Sequence, residues 1–140
     1  MDNSTLSNFR WPVRVYYEDT DATGVVYHAN YLKYFERGRT EWLRCLGFDQ
    51  YQLAAEEGAA FTLASTAIDY LGPARLDDHL EVVTTVAEHS RVTLVFSQTI
   101  ERDGECLTRA SFRVVCVDAE RFRPRRLPAA IIKALEERTA

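Results

Sequence analysis

Residues 17–30 read Tyr17-Glu18-Asp19-Thr20-Asp21-Ala22-Thr23-Gly24-Val25-Val26-Tyr27-His28-Ala29-Asn30. This segment places three carboxylates, one glycine and one histidine between a short strand pattern and the start of a helix pattern. A fold rarely needs so many polar groups beside aromatic side chains, whereas a reaction at a carbonyl carbon does. A carboxylate can activate water or attack the carbonyl, and backbone N–H groups at a helix start face the developing negative charge. The segment therefore predicts a catalytic loop.

The sequence on either side of this loop reads as a strand and a long helix. Residues 13–18 alternate apolar and polar side chains, which predicts a strand, and Gly24 permits the turn that follows. Asn30 is a suitable N-cap for a helix that runs to about Leu46, with Gly47 just beyond its end. The predicted apolar stripe of this helix consists of Leu32, Phe35, Trp42, Leu43 and Leu46.

Gly38 falls in the middle of the predicted helix. A glycine at an interior helix position costs about 1 kcal/mol relative to alanine. We expect compensation from the close approach of another backbone segment or of a ligand at that turn. Packing against the rest of the protein is the simpler of the two explanations.

Strands dominate the second half of the chain. A short helix is predicted from Asp49 to near Gly58, and strands are predicted at residues 61–70, 80–88, 91–101 and 106–118. The pair Asp103-Gly104 predicts a hairpin turn, and Pro128 opens a final helix that runs to about Arg138. A five-stranded sheet must bury one face, and only the long helix is large enough to cover it. The sequence therefore predicts an α+β domain, a five-stranded antiparallel sheet wrapped round a central helix.

Length and composition favour one soluble domain. The 140 residues are expected to form a single domain, residues 1–140 with a core at about 11–132. The formal net charge of −4 provides no overall basic field that would attract nucleic acid. No apolar run approaches the roughly 20 residues that a membrane span needs, and no signal-sequence pattern stands at the N-terminus. We expect a cytoplasmic protein.

The cysteines and histidines give no sign of a metal site. The three cysteines and three histidines lack the spacing of a disulfide framework or a zinc site. We expect reduced cysteines packed as small apolar groups and no metal in the site.

The segment from Tyr17 to Tyr31 resembles the signature of hot-dog-fold acyl-CoA thioesterases, in the 4-hydroxybenzoyl-CoA thioesterase-like branch. Within that branch it is most similar to the acyl-CoA thioesterases associated with the Tol–Pal envelope system. The resemblance covers most of the chain from Val13 to about Ile132. Its further matching segments are Tyr34-Phe35-Glu36-Arg37-Gly38-Arg39-Thr40-Glu41, Gly72-Pro73-Ala74-Arg75-Leu76-Asp77-Asp78, Ser90-Arg91-Val92-Thr93-Leu94-Val95-Phe96, Val115-Cys116-Val117-Asp118 and Arg125-Arg126-Leu127-Pro128.

The resemblance implies a hot-dog fold and the hydrolysis of an acyl thioester without a metal or a serine nucleophile. Asp21 matches the catalytic aspartate of the family, four residues after Tyr17 and seven before His28. The implied substrate is an acyl-CoA or an acyl-carrier-protein thioester, so coenzyme A is part of the substrate and no cofactor is retained. Family members assemble as dimers or tetramers with the active site at a subunit interface, which predicts a homo-oligomer.

Spacing alone leaves Glu18, Asp19 and Asp21 as near-equal candidates for the catalytic acid. Each could accept a hydrogen bond that closes the turn at Gly24. The family motif selects Asp21, either as a general base for water or as a nucleophile on the carbonyl, and both roles stay open. We expect Asp19 to support the turn and Glu18 to face solvent.

His28 and Tyr17 are the predicted assistants of Asp21. Taken alone, His28 would be a solvent-facing residue at a helix start. Its place beside the loop favours orienting water or substrate, or protonating the leaving thiolate. Tyr17 lies on the side of Asp21 if the strand stays extended. Backbone N–H groups near His28, at the positive end of the helix, are the predicted oxyanion donors.

Glu36 is the second candidate for the acid. Other branches of the hot-dog fold place the catalytic carboxylate on the central helix. The neighbouring Arg37 and Arg39 instead favour a surface ion pair for this side chain.

One basic cluster occupies residues 121–126. Such a run is ordinarily a solvated surface. The functional alternatives are a seat for the phosphates of coenzyme A, for an acidic carrier protein or for an anionic membrane surface. The predicted phosphate contacts are Arg91, Arg125 and Arg126.

Two further functions stay open alongside hydrolysis. The domain could be an acyl-thioester hydratase or dehydratase, or a non-catalytic module that binds acyl-CoA or an acyl-carrier protein. One fold hosts many functions, and the pair of Asp21 and His28 is what favours a thioesterase.

Overall fold

The computed structural model describes residues 8–139. The helices and strands are, in chain order, β1 (Phe9–Arg14), α1 (Tyr31–Cys45), α2 (Gln50–Gln52), β2 (Ala59–Tyr70), β3 (His79–His89), β4 (Thr93–Arg102), β5 (Glu105–Asp118) and α3 (Ala129–Thr139). Two 3-10 turns, Tyr17–Asp19 and His28–Asn30, lie between β1 and α1, and a π-helical turn, Leu53–Glu57, continues α2. Within residues 8–139, no helix is long and apolar enough to cross a membrane.

The five strands form one antiparallel sheet in the order β1-β3-β4-β5-β2. β4 and β5 are joined through Asp103 and Gly104, whose φ angles of 51° and 83° are the positive values that a tight hairpin turn requires. β1 and β2 are the edges of the sheet. β2 is twelve residues long and pairs only with β5 within the described chain.

The central helix α1 packs against one face of this sheet. The ring of Phe35 lies 5.1 Å from that of Phe112 on β5, and the ring of Trp42 lies 5.2 Å from that of Phe96 on β4. The buried residues of α1 are Tyr31, Tyr34, Phe35, Gly38, Trp42 and Leu43. Their spacing of three and four residues is that of one helix face. The predicted sheet wrapped round a central helix is confirmed.

Gly38 lies where α1 comes closest to the sheet. A Cβ atom at this position would be 2.6 Å from the Val82 Cγ1 methyl and 3.0 Å from the Thr84 hydroxyl, both on β3. The Gln98 amide of β4 would be 3.1 Å away. Close packing of the helix on the sheet is therefore the reason for the glycine.

The first strand was predicted in the wrong place. It spans Phe9–Arg14 rather than residues 13–18, because the chain leaves the sheet after Arg14 and forms the 3-10 turn Tyr17–Asp19. Val15 is nevertheless fully buried, so the apolar alternation continues beyond the strand and misplaces its end. Pro12 is tolerated in β1 because β1 is an edge strand.

The predicted apolar stripe of α1 also needs one correction. Leu32 is 38% exposed, whereas Tyr31 and Tyr34 are buried although the stripe left them out. Aromatic residues with a polar hydroxyl occupy the buried face at the start of α1. The other predicted boundaries fall within two residues of the observed ones.

Candidate active site

A buried carboxylate, Asp19, ties the predicted catalytic loop to the start of α1. It is 7% exposed and accepts hydrogen bonds from the Tyr16 N–H (2.9 Å), the Asn30 side-chain amide (2.9 Å) and the Tyr34 hydroxyl (2.8 Å). Burial alone would raise the pKa of Asp19, but these three hydrogen bonds outweigh it and lower the pKa below its ordinary value. Asn30 thus uses its side chain on Asp19 and makes no side-chain cap for α1.

Asp21 lies in the exposed turn that follows. Its backbone N–H donates to the Val25 carbonyl and its carbonyl accepts from the Gly24 N–H, each at 3.0 Å. Its Oδ1 accepts hydrogen bonds from the Thr23 hydroxyl and from the Thr23 N–H, the latter at 2.8 Å. These bonds from Thr23, with a smaller contribution from the charge of His28, lower the pKa of Asp21. Asp21 is therefore an exposed carboxylate that is ionised at neutral pH.

Tyr17 does not sit where an extended strand would place it. It is the first residue of the 3-10 turn Tyr17–Asp19, its ring is 82% exposed, and its carbonyl accepts from the Thr20 N–H at 3.2 Å and from the Thr20 hydroxyl at 2.8 Å. Among the described residues, no hydrogen bond or ring contact joins Tyr17 to Asp21. The extended strand on which its predicted position depended is wrong, because the carboxylate of Asp19 closes a turn at this point.

His28 begins the 3-10 turn that leads into α1. Its exposed ring is 4.4 Å from the ring of Tyr27 and stands edge-on to the ring of Tyr70 at 6.5 Å. The Tyr70 hydroxyl donates to the His28 carbonyl at 2.7 Å, which connects the end of β2 to the helix start. The charge of His28 contributes to the lowered pKa of Asp21, so the two predicted residues lie within electrostatic range of each other.

The backbone N–H groups at this helix start are of two kinds. The Tyr27 N–H donates to the Asp19 carbonyl and the Asn30 N–H donates to the Tyr27 carbonyl, at 3.0 and 2.8 Å. The N–H groups of His28 and Ala29 stand at the beginning of the helical segment, where a helix has no internal acceptors for its first donors. The partial positive charge of the helix end is concentrated on such groups.

A cleft of about 320 Å³ opens beside these donors. It is lined by Val26, His28, Tyr31, Tyr70, Leu71, Gly72 and Pro73. Backbone bonds fix its walls to each other, since the Val26 N–H donates to the Ala74 carbonyl at 2.8 Å and the Ala74 N–H donates to the Tyr31 hydroxyl at 3.2 Å. The sequence segment 72–78 thus forms part of the site.

The three predicted phosphate contacts lie close to one another. The Leu127 N–H donates to the Arg91 carbonyl at 2.8 Å, which brings Arg91 beside the segment of Arg125 and Arg126. Arg126 and Arg91 are exposed, whereas the Arg125 guanidinium donates to the carbonyl of Glu57 at the end of the π-helical turn.

These arginines lie far from His28 within one chain. β2 pairs with β5 from Tyr70 opposite Thr108 to Ala59 opposite Asp118. Tyr70 contacts His28, whereas the Arg125 N–H donates to the carbonyl of Cys116, which pairs with Phe61. His28 and the basic cluster 121–126, the arginine segment, are therefore near opposite ends of β2, about 30 Å apart at roughly 3.3 Å per residue. A single chain does not bring them together.

Glu36 makes no ion pair with Arg37 or Arg39 within the described chain. Its carboxylate instead accepts a hydrogen bond from the Thr40 hydroxyl one turn further along α1. The expected surface ion pair is wrong, because Arg39 turns to the sheet, where it donates to Gln98 and lies against the Phe112 ring.

Sequence reasoning missed Tyr70 as a residue of the site. Its contacts with His28 span 42 residues of sequence, and no local spacing predicts them. The one available signal was that β2 ends next to the Gly72-Pro73 segment, whose resemblance to the family was already apparent.

Comparison with known proteins identifies the family of the chain. The family model of the thioesterase-like superfamily matches residues 15–135. The chain is 48% identical over 136 residues to the acyl-CoA thioester hydrolase YbgC of Escherichia coli O6:H1, which covers 96% of this chain and 99% of that protein. It is 48% identical over 125 residues to the acyl-CoA thioesterase YbgC of Haemophilus influenzae, which covers 89% and 92% of the two chains.

A solved structure extends the likeness to the fold. The 1,4-dihydroxy-2-naphthoyl-CoA thioesterase of Synechocystis superimposes with a TM-score of 0.85 at 25% identity, over 94% of this chain and 97% of that one. The sheet order and central helix described above are thus those of a thioesterase of known structure. With the match of the family model over residues 15–135, the chain belongs to the thioesterase-like superfamily and has the hot-dog fold.

Proposed function

We propose that this thioesterase hydrolyses acyl-CoA thioesters with Asp21 as the group that acts on water or on the carbonyl. The observation that carries the proposal is an exposed, ionised carboxylate in a loop fixed to the start of α1, with His28 beside it. The similarity of the chain to acyl-CoA thioesterases of Escherichia coli and Haemophilus influenzae supports it.

Asp21 has one carboxylate oxygen available for this chemistry. Both hydrogen bonds from Thr23 go to Oδ1, which leaves Oδ2 for water or for the substrate carbonyl. As a general base, Asp21 takes a proton from water as the water attacks the thioester carbon, a role worth roughly 10²–10⁴ in rate. As a nucleophile, it forms a transient anhydride that water then hydrolyses.

Backbone groups supply the oxyanion site. The N–H groups of His28 and Ala29 stand beside the cleft at the positive end of the helical segment. They polarise the thioester carbonyl and stabilise the negative charge of the tetrahedral intermediate. No side-chain substitution removes these donors, so variants of Asp21 keep residual activity.

His28 and Tyr17 assist from opposite sides of the loop. The exposed imidazole of His28 orients water or substrate, or passes a proton to the departing thiolate. Tyr17 has its hydroxyl accessible to a bound substrate because its ring is exposed. Its role is the weaker of the two, since it touches neither Asp21 nor His28 among the described residues.

A second copy of the chain completes the site. The free edge of β2 can pair with β2 of a second copy about a two-fold axis, so that the beginning of one strand lies beside the end of the other. The partner's arginine segment then approaches the cleft of the first copy. Arg91, Arg125 and Arg126 bind the phosphates of coenzyme A across this interface, which makes the functional unit a dimer or a tetramer.

Thiol release from short, long and aromatic acyl-CoAs tests the proposal, with Asp21→Asn beside the wild type. We expect turnover to fall at least about a hundredfold in Asp21→Asn, the range for loss of a general base, while the protein stays folded. Glu18→Gln is the matched control, because it neutralises an exposed carboxylate three residues away that makes none of these contacts. Equal rates in wild type and Asp21→Asn would contradict the assignment and direct attention to Glu36.

Two other results would replace the function itself. Hydration of crotonyl-CoA without thiol release would identify a hydratase. Tight acyl-CoA binding without turnover, unchanged in Asp21→Asn, would identify a binding module.

A further inference from the structure

A second cavity, of about 280 Å³, lies between α1 and the sheet, away from the cleft at His28. Its walls are mainly apolar and include Leu43, Phe61, Leu94 and Phe96. The polar residues that line it are Glu36, Arg39 and Thr40 of α1, Gln50 of α2 and Thr62 of β2.

Arg39 is the cation of this cavity. Its guanidinium lies 4.2 Å from the centroid of the Phe112 ring and donates from Nη1 to Oε1 of Gln98 at 3.0 Å. Gln98 is itself 1% exposed, and its amide nitrogen donates to the Phe35 carbonyl and the Thr84 hydroxyl, which fixes its orientation. Arg39 is therefore held in place, and no carboxylate among the described residues pairs with it. Burial lowers the pKa of Arg39 to about 10, and the negative charge of Glu36 offsets only part of this effect.

Trp42 supplies a second donor without a partner. It lines the same cavity, is 1% exposed, and its indole Nε1 has no hydrogen-bond acceptor among the described residues. A buried polar group of this kind normally finds a partner. The Trp42 Nε1 is however closed to solvent and cannot meet a molecule in the cavity, so Arg39 is the charged hydrogen-bond donor that the cavity offers.

Among the described residues that line the cavity, Glu36 is the carboxylate, and it forms no ion pair with Arg39. Its side chain is exposed, and its carboxylate is bonded to the Thr40 hydroxyl. Its charge acts on Arg39 without a direct ion pair and offsets only part of the effect of burial on the Arg39 pKa.

We propose that this cavity binds the far end of an acyl group that carries a carboxylate, so that the enzyme prefers thioesters of dicarboxylic acids. The carboxylate accepts from Arg39, and the methylene chain lies against the apolar walls. In the reaction, water adds to the thioester carbonyl, the C–S bond breaks, the thiolate takes a proton, and a free dicarboxylate leaves.

The proposal rests on the proposed function and on its dimer. Phe61 belongs to the first half of β2, whereas the cleft at His28 lies at the end of β2 next to Tyr70. In a two-fold pairing of β2 with its copy, the first half of one strand lies beside the second half of the other. The cavity of one copy thus comes to the cleft of its partner, where an acyl chain can reach both.

Adipoyl-CoA and hexanoyl-CoA test the preference, because they differ only in the terminal carboxylate. We expect kcat/KM of the wild type to be higher for adipoyl-CoA by roughly tenfold or more, the effect of hydrogen bonds to a charged group. Arg39→Met should lose this preference, measured as the ratio of kcat/KM for the two substrates. Lys33→Met, which removes a positive charge from an exposed position of the same helix, should behave as the wild type.

A preference of the wild type for hexanoyl-CoA would overturn the proposal. So would an equal loss of activity on both substrates in folded Arg39→Met, which would show a purely structural role. If Arg39→Met does not fold, Arg39→Gln serves instead, since it removes the charge and keeps a hydrogen-bond donor for Gln98. It should reduce the preference for adipoyl-CoA, and an unchanged preference contradicts the proposal.

Binding of hexanoate and hexanamide by calorimetry gives a readout independent of turnover. Hexanoate should bind the wild type more tightly than its neutral amide, and Arg39→Met should abolish the difference. Equal binding of the two to the wild type would overturn the inference. Failure to hydrolyse any acyl-CoA would overturn only the proposed function, and the calorimetry would still decide whether the cavity binds a carboxylate.

Discussion

Asp19 and Asp21 are two residues apart and have opposite surroundings. Asp19 is buried, and both of its carboxylate oxygens accept hydrogen bonds from the loop and from α1. Asp21 is exposed and uses only Oδ1, on its neighbour Thr23. The first therefore holds the loop in place, and the second is the one that can meet a substrate.

The hydroxyl of Thr23 gives a prediction about pH. It is the largest cause of the lowered pKa of Asp21, so Thr23→Val should raise that pKa toward its ordinary value. A base acts only when ionised, so kcat/KM falls as pH drops through the pKa of Asp21. The acid limb of the kcat/KM profile should therefore move to higher pH in Thr23→Val, with little change at neutral pH.

Thr20→Val is the matched control for this experiment. It removes a hydroxyl of the same loop that bonds to the Tyr17 carbonyl rather than to Asp21. The profile should be measured where circular dichroism shows all three proteins folded. Superimposable acid limbs for wild type and Thr23→Val would remove Asp21 as the titrating group.

The sequence predicted some residues of the candidate site and missed others. Asp21 and His28 were predicted through a local motif, and the charge of His28 contributes to the lowered pKa of Asp21. The position of Tyr17 was missed because it depended on where a strand ends, which the carboxylate of Asp19 decides through a three-residue turn. Tyr70 was missed because it reaches His28 through tertiary contact alone.

At the scale of helices and strands, the packing of α1 on the sheet at Gly38 can be tested by substitution. An alanine there would favour the helix by about 1 kcal/mol. Its methyl would however lie 2.6 Å from a methyl of Val82, which is fully buried and cannot easily move. Overpacking of this kind costs about 1–3 kcal/mol, so we expect a net loss of about 1 kcal/mol in Gly38→Ala, measured by urea denaturation.

A double-mutant cycle with Val82→Ala separates the clash from other effects. Val82→Ala alone leaves a cavity, and Gly38→Ala partly fills it, so the double variant should be more stable than the sum of the single changes predicts. A favourable coupling of about 1 kcal/mol is expected for residues in contact. Strict additivity would show that the helix and sheet are not in tight contact at this turn.

The elements themselves were predictable where a pattern was local and long. The helix α1 and the strands β2 to β5 were found within two residues of their ends, because their apolar periodicity and the Asp103-Gly104 turn are local signals. β1 was misplaced because Val15 is buried outside any strand, held by its N–H bond to the Asp78 carbonyl at 3.0 Å. Periodicity reports burial, and burial does not require a strand.

At the scale of the whole molecule, β2 is an edge strand that has a pairing partner, β5, on one side alone within the described chain. This edge strand is twelve residues long and exposes Leu63 and Tyr70, at 45% and 48%. A long edge strand with apolar side chains invites pairing, and soluble proteins normally cover or charge such an edge. Two-fold pairing of β2 would cover it and would also bring the arginine segment of one copy to the cleft of the other.

Lysines on this edge should therefore separate the copies and abolish activity together. Ala64→Lys with Ala67→Lys adds two positive charges to exposed positions of β2, which face their own copies across the two-fold axis and repel. We expect a folded monomer by sedimentation, with thiol release lost because the composite site is broken. Ala129→Lys with Ala130→Lys makes the same change at exposed positions of α3 and should leave assembly and turnover intact. A β2 variant that stays oligomeric would show that the copies do not associate through this edge. A monomer that keeps full activity would show that the cleft acts without this interface.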